Sequence, residues 1–277
     1  MPPKKIIVIY HKNCLDGFSS AWTAWKKFGN RAEYIPTVHQ TPPPTGLKDK
    51  EVYMLDFSYS EPVMESIKKI AKRVTVIDHH VSQKDAIKIS DEYVYAVKNS
   101  GAVLSWNYFF PGKKMPKLFS YVEDKDIWKF ALSGTNELLA AVETVNFDFK
   151  AWSKLVSDFN DAKKRKKYFD KGAAIIEFSN KNIDSIANNA EKVTLDGKKC
   201  LAVNSPIFVS EIGHILATRA KGMGIVWCKK GNKIKVSLRG DGKVDVSKVA
   251  AKYGGGGHKG ASSFSFEIKG PIKFPWK

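Results

Sequence analysis

The sequence predicts an α/β protein: a parallel, doubly wound sheet followed by a smaller α+β domain toward the C-terminus. Three observations predict it. Over the first 80 residues, short apolar runs alternate with helix-length segments in a βαβαβ rhythm. Three of those runs end directly in Asp or His, where α/β folds place their chemistry. From about residue 190 the rhythm changes to short strand-like runs joined by Asp-Gly and Gly-Asn turns.

Residues 5–10 form the first predicted strand, and Asp16-Gly17 opens an apolar, aromatic helix reaching Phe28. A strand over 33–36 follows, then a loop from His39 to Gly46 carrying a triple proline. Strand 51–55, helix 61–71 and strand 74–77 complete the rhythm. Residues 100–180 read mostly as helix, with Pro111 and Pro116 marking a break. In the second region, strands over 192–195 and 200–204 flank the Asp196-Gly197 turn, and strands over 224–229 and 233–238 flank Gly231-Asn232. A helix over 210–220 separates the two hairpins, and another over 245–252 precedes four glycines and a strand over 262–268. The expected domains are 1–185 and 190–277, with the boundary inside a basic helix at 160–190.

A chain of 277 residues with 43% hydrophobic and 27% charged residues is globular and has ample material for a core. The 46 Lys and Arg exceed the 28 Asp and Glu, a net charge of +18. Such an excess favours a polyanionic partner, or else serves solubility. Lys163-Lys164-Arg165-Lys166-Lys167 reads as a solvated helix face, with a nucleic-acid rail as the other reading. Cys14, Cys200 and Cys228 form no CxxC pair and no even set, which predicts a reducing, cytoplasmic setting. No run approaches the ~20 apolar residues of a membrane span.

The chemistry-bearing residues cluster at strand ends. His11, Cys14 and Asp16 place three metal-ligand types within six residues, beside Gly17, which lets the backbone turn closely. Asp56, at the end of the strand expected between the other two, is placed to bridge two ions. In Asp78-His79-His80 the carboxylate can hold an imidazole in one tautomer, while one histidine ligates metal and the other addresses substrate. Glu123-Asp124-Lys125-Asp126 supplies the remaining carboxylate, with Asp124 the expected ligand ahead of Asp126. Gly254-Gly255-Gly256-Gly257-His258-Lys259 offers backbone N–H groups, an imidazole and an ammonium to a phosphate, and Arg239 adds a clamp. His39 and His214 read as structural, with His214 a secondary candidate at a substrate-facing helix.

Taken together in this order, these motifs resemble the DHH phosphoesterase superfamily, in the subgroup with a C-terminal DHHA1 domain, over nearly the whole chain. The resemblance implies two divalent cations, normally Mn²⁺, that activate a water to hydrolyse phosphoester bonds. It implies His11 and Asp56 at the first ion, and Asp16, Asp56, His79 and Asp124 at the second. His80, beside Asp78, would contact the scissile phosphate. Arg239, His258 and the glycine loop, including Gly255, Gly256 and Gly257, would bind substrate. Cys14 stands where the family usually has Asp, and its spacing from His11 is one residue shorter than in many members. Either its thiolate joins the first site and shifts the preference toward softer ions such as Zn²⁺, or that site is weaker. The expected substrates are short oligonucleotides or small nucleotides. The alternatives are a cyclic-dinucleotide phosphodiesterase, a single-strand exonuclease and a non-catalytic nucleic-acid-binding relative. Inorganic pyrophosphatase fits less well, because the glycine-rich loop differs in that branch. No protein partner follows from the sequence, and a homodimer is left open.

Overall fold

The structure, a computed structural model, describes residues 4–38, 41–268 and 270–276. His39 lies outside them. Contacts divide the chain into two units, Met1–Ile176 and Glu177–Lys277.

In the first unit the elements run β1 (Ile6–His11), α1 (Leu15–Phe28), β2 (Ala32–Thr37), β3 (Glu51–Leu55), α2 (Glu61–Ile70), β4 (Arg73–Asp78), α3 (Lys84–Ile87), β5 (Glu92–Tyr95), α4 (Gly101–Phe109), α5 (Lys117–Asp126), α6 (Thr135–Val142) and α7 (Phe149–Asn160). The five strands are all parallel, in the order β2-β1-β3-β4-β5. Such a sheet must be covered on both faces. Alternation along each strand divides the side chains between two layers. Val8, Tyr10, Leu55 and Ile77 pack on one side with Phe18, Trp22, Trp106 and Phe119. Ile7, Ile9, Val52, Met54, Val74 and Val76 pack on the other with Met64, Ile67 and Ile87. The apolar strand runs are therefore buried on both faces.

α8 (Ala162–Asn188) carries the chain from the first unit into the second. The basic run at its start is largely engaged locally. Lys164 meets Asp158 at 3.0 Å, Lys166 meets Asp170 at 2.8 Å, and Arg165 donates to the Phe159 carbonyl at 2.6 Å. This is the pattern of a solvated helix face.

The second unit continues with β6 (Glu191–Leu195), β7 (Lys198–Asn204), α9 (Val209–Ala220), β8 (Met223–Lys230), β9 (Lys233–Gly240), α10 (Val246–Lys252), β10 (Gly256–His258) and β11 (Ala261–Glu267). Its six-stranded sheet is ordered β10-β11-β9-β8-β7-β6. Only β7 and β8 pair in parallel, joined by α9 as the crossover. Asp196 (φ 53°) and Gly197 (φ 72°) both take left-handed backbone in the first hairpin turn, as a type I′ turn requires. β10 corrects one expectation: part of the glycine run is a strand of a hairpin with β11, not an open loop. No helix among the described residues is long and apolar enough to cross a membrane.

Candidate metal centre

Register brings the strand ends together. Tyr10 pairs with Leu55, and Leu55 with Ile77. The residues that follow, His11, Asp56 and Asp78, therefore sit side by side at the C-terminal edge of the sheet. From β1 the chain passes to β2 on one side and then crosses over to β3 on the other, so the crevice at this edge is a topological switch point. Asp56 takes left-handed backbone (φ 52°) as β3 ends, while its N–H still donates to the Ile77 carbonyl at 2.9 Å. Such a conformation costs a non-glycine residue on the order of 1 kcal/mol or more.

Asp56 is buried and lies between two groups of side chains. Its Oδ2 is 3.7 Å from His11 Nδ1, and Cys14 belongs to the same group. Its Oδ1 is 3.2 Å from His79 Nε2. That same nitrogen lies 3.7 Å from Asp16 Oδ2 and 3.4 Å from Asp126 Oδ2. Both Asp56 oxygens, His79 Nε2 and Asp126 Oδ2 are buried without a hydrogen-bond partner. Buried polar atoms are normally satisfied. Four unsatisfied ones converging from separate segments form a donor set of carboxylates and imidazoles that fits divalent cations.

The charges point the same way. Burial, with the Asp56 and Asp126 carboxylates, lifts Asp16 well above the usual carboxylate range. Burial and then Asp56 push Asp126 up to about 6. Burial also works against ionisation of Asp56, but the imidazoles of His11, His79 and His80 outweigh it and hold Asp56 below the ordinary range. Burial, Asp56 and Asp16 raise the Cys14 thiol, so without a cation it stays protonated. This crowding of negative charge is what a bound cation relieves.

Asp78 Oδ2 is likewise buried without a partner, whereas Oδ1 is fully engaged. That oxygen accepts from the His79 and His80 backbone N–H groups at 2.7 and 3.2 Å and pairs with His80 Nδ1 at 2.7 Å. The bond to Asp78 raises His80 to about 9. At His79 burial opposes the charged form, but Asp56 and Asp126 outweigh it and raise the pKa.

Asp124, the expected ligand, is occupied elsewhere. Its Oδ1 accepts from Ala131 N at 2.8 Å, and its Oδ2 accepts from Leu132 N at 3.1 Å and Thr135 Oγ1 at 2.5 Å. Asp126 is the carboxylate beside His79. Two residues of α-helix turn the chain by about 200°, so the two carboxylates cannot face the same way.

Ser100 and Gly101 shape the site in a way the sequence reading missed. Ser100 caps α4, whose first N–H groups bind Asp16: Gly101 N donates to Oδ2 at 2.6 Å and Ala102 N to Oδ1 at 2.8 Å. A helix N-terminus suits a carboxylate. A Cβ on Gly101 would stand 2.8 Å from Asp56 Cβ and 2.9 Å from Asp16 Oδ2, so any side chain there would force the two carboxylate residues to move. Gly17 plays a similar part: a Cβ there would meet the His11 carbonyl oxygen at 2.3 Å. The signal was present as a Ser-Gly helix start.

In the second unit, Arg239, Gly256 and Gly257 line a hollow of about 250 Å³ with Lys235, Ser237 and Ser263. Arg239 donates to Ser210 Oγ at 2.8 Å and to the Leu238 carbonyl at 3.0 Å. Gly213 leaves room for it, since a Cβ there would stand 2.7 Å from Arg239 Cγ. The Gly254 and Gly255 amides do not serve as an anion cradle. They donate to Ala251 and Ala250 carbonyls and close α10. His258, Lys259 and His214 are exposed.

Residues 203–271 match the family described as the DHHA1 domain. Protein R106 of Acanthamoeba polyphaga mimivirus, described as uncharacterized, is 30% identical over 97% of this chain and 69% of its own length. A structure of exonuclease RecJ bound to manganese superposes with a TM-score of 0.56 at 13% identity, covering 96% of this chain and 86% of that one. The pGpG-specific phosphodiesterase PggH of Vibrio cholerae superposes with a TM-score of 0.50 at 12% identity, covering 96% and 94%. With Asp-His-His at the end of β4, a crowded carboxylate and imidazole cage at the switch point, and a matched C-terminal domain, the chain belongs to the DHH phosphoesterase superfamily.

Proposed function

We propose that this protein is a metal-dependent phosphoesterase hydrolysing short oligonucleotides or small nucleotides, with two divalent cations in the cage around Asp56. The observation that carries the reading is the set of buried atoms without partners: Asp56 Oδ1 and Oδ2, His79 Nε2 and Asp126 Oδ2. The two Asp56 oxygens face different neighbours. His11 and Cys14 stand on the Oδ2 side, and His79, Asp16 and Asp126 on the Oδ1 side, which supports one cation position on each. When bound, such cations offset charge on phosphoryl oxygens and make a water more acidic.

The chain's own residues do the rest. The α4 N-terminus holds Asp16 in place through two backbone N–H bonds. Asp78 fixes the His80 ring by accepting from Nδ1, which directs its chemistry to Nε2. As an imidazolium, His80 can donate its Nε2–H to a phosphate oxygen as charge builds on it. In the second unit, Lys235 and Arg239 with the serines beside them make a basic, hydroxyl-rich surface suited to a phosphate or sugar.

The test is a hydrolysis panel with Mn²⁺-loaded protein: a dinucleotide, 3′-phosphoadenosine 5′-phosphate, a cyclic dinucleotide and a longer single strand. pGpG, the substrate named for PggH, belongs in it as a dinucleotide. Release of mononucleotides or phosphate, with about two Mn²⁺ per chain by elemental analysis, is the expected result. Binding without any product would mark a non-catalytic nucleic-acid-binding relative and sink the proposal.

A further inference from the structure

Asp126 ends α5, and the chain that follows it exposes two aromatic rings. Trp128 is 81% exposed and Phe130 is 39% exposed. Their centroids are 5.4 Å apart at 81°, an edge-to-face pair. Both take left-handed backbone, with φ of 55° and 46°. Bulky aromatic residues rarely adopt that region, and such strain collects at functional sites.

The strain is held by Asp124. Its carbonyl accepts from Lys129 N at 2.9 Å and Phe130 N at 3.1 Å, and its buried carboxylate ties down Ala131, Leu132 and Thr135. Five bonds to one residue fix the segment that displays the rings. A solvated loop needs neither the two exposed rings nor this anchoring. The pair begins two residues beyond a member of the metal cage.

We propose that Trp128, supported edge-on by Phe130, is a stacking platform for a nucleobase of the substrate, and that Asp124 is the residue positioning it. This rests on the nucleotide reading above. An aromatic face accepts any base, so the platform would select for a base next to the hydrolysed phosphate while tolerating sequence. Trp supplies the larger face, and its backbone is fixed before the ligand arrives, which reduces the entropy lost on binding.

The test compares a ligand bearing a base with one lacking it. Calorimetry with the full Mn²⁺-loaded chain measures adenosine 5′-monophosphate against ribose 5-phosphate. Wild type is expected to prefer the nucleotide, and Trp128→Ala to shrink that preference roughly tenfold. Trp128→Phe should keep most of it, which controls for misfolding. Asp124→Asn should shrink it as well, by loosening the loop. If wild type hydrolyses the dinucleotide and Trp128→Ala keeps the full preference, the platform is wrong while the phosphoesterase reading stands. If wild type neither binds nor cleaves any nucleotide, both fall. Self-association that Trp128→Ala abolishes, with nucleotide preference unchanged, would assign the rings to a protein contact and overturn the proposal.

Discussion

Asp78 and Asp126 show how one side chain's neighbours decide its work. Asp78 spends Oδ1 on His79 and His80. Asp78→Asn should therefore weaken Mn²⁺ binding roughly 10–100-fold, the usual effect of losing a group that orients ligands. In the metal-free protein it should also let the His80 pKa fall from about 9 toward its ordinary 6.5, read by NMR titration of the imidazole. The pair Asp126→Asn and Asp124→Asn separates ligand from scaffold. Asp126→Asn should cut metal affinity with little loss of fold. Asp124→Asn should retain metal affinity but cost about 1–3 kcal/mol in denaturant unfolding, since it disturbs a buried network. If the metal effects come out reversed, the placement of these carboxylates is wrong. The sequence put His11, Cys14, Asp16, Asp56 and His79 at one edge because each follows an apolar strand. It could not separate Asp124 from Asp126, because helical phase becomes visible only once the helix is packed.

At the level of elements, α4 carries the clearest consequence. Its first turn binds Asp16, and Gly101 is packed against both Asp16 and Asp56. Gly101→Ala should destabilise the protein by about 1–3 kcal/mol, because a well-packed site must move to admit a methyl group. It should also lower Mn²⁺ affinity, measured by calorimetry on the folded variant. A variant with wild-type affinity and stability would mean that the contact relaxes freely. The long apolar strands were legible for a simple reason: residues buried on both faces leave continuous hydrophobic runs. β5 was missed because its four residues at the sheet edge are only partly buried or exposed. β10 was missed because two of its three residues are glycines, which carry no strand preference of their own.

Across the whole molecule, the cage makes stability depend on pH and cation together. Asp16, Asp126 and His80 all have folded pKa values above their ordinary ones. Each therefore binds protons more tightly when folded, and the stability it contributes is lost as pH rises through the folded value. For Asp126 that contribution is present below about 3.8 and lost through about 6; for His80 it is present below 6.5 and lost through about 9. Asp56 is shifted the other way, so its contribution is lost only in strong acid. The melting temperature of the metal-free protein should fall between pH 5 and 9. Mn²⁺ should stabilise most at the alkaline end, because its ligands bind deprotonated. Thermal melts in chelator and in Mn²⁺ check both, and a flat chelator profile would show that the cage does not crowd its charges.

The unsatisfied carboxylates at the switch point also bear on how long the protein survives. Cellular proteases remove molecules that open, and a difference of one or two kcal/mol changes abundance several-fold. A chain starved of cations would be cleared sooner than a loaded one, so its cellular amount would follow metal supply without any change in synthesis.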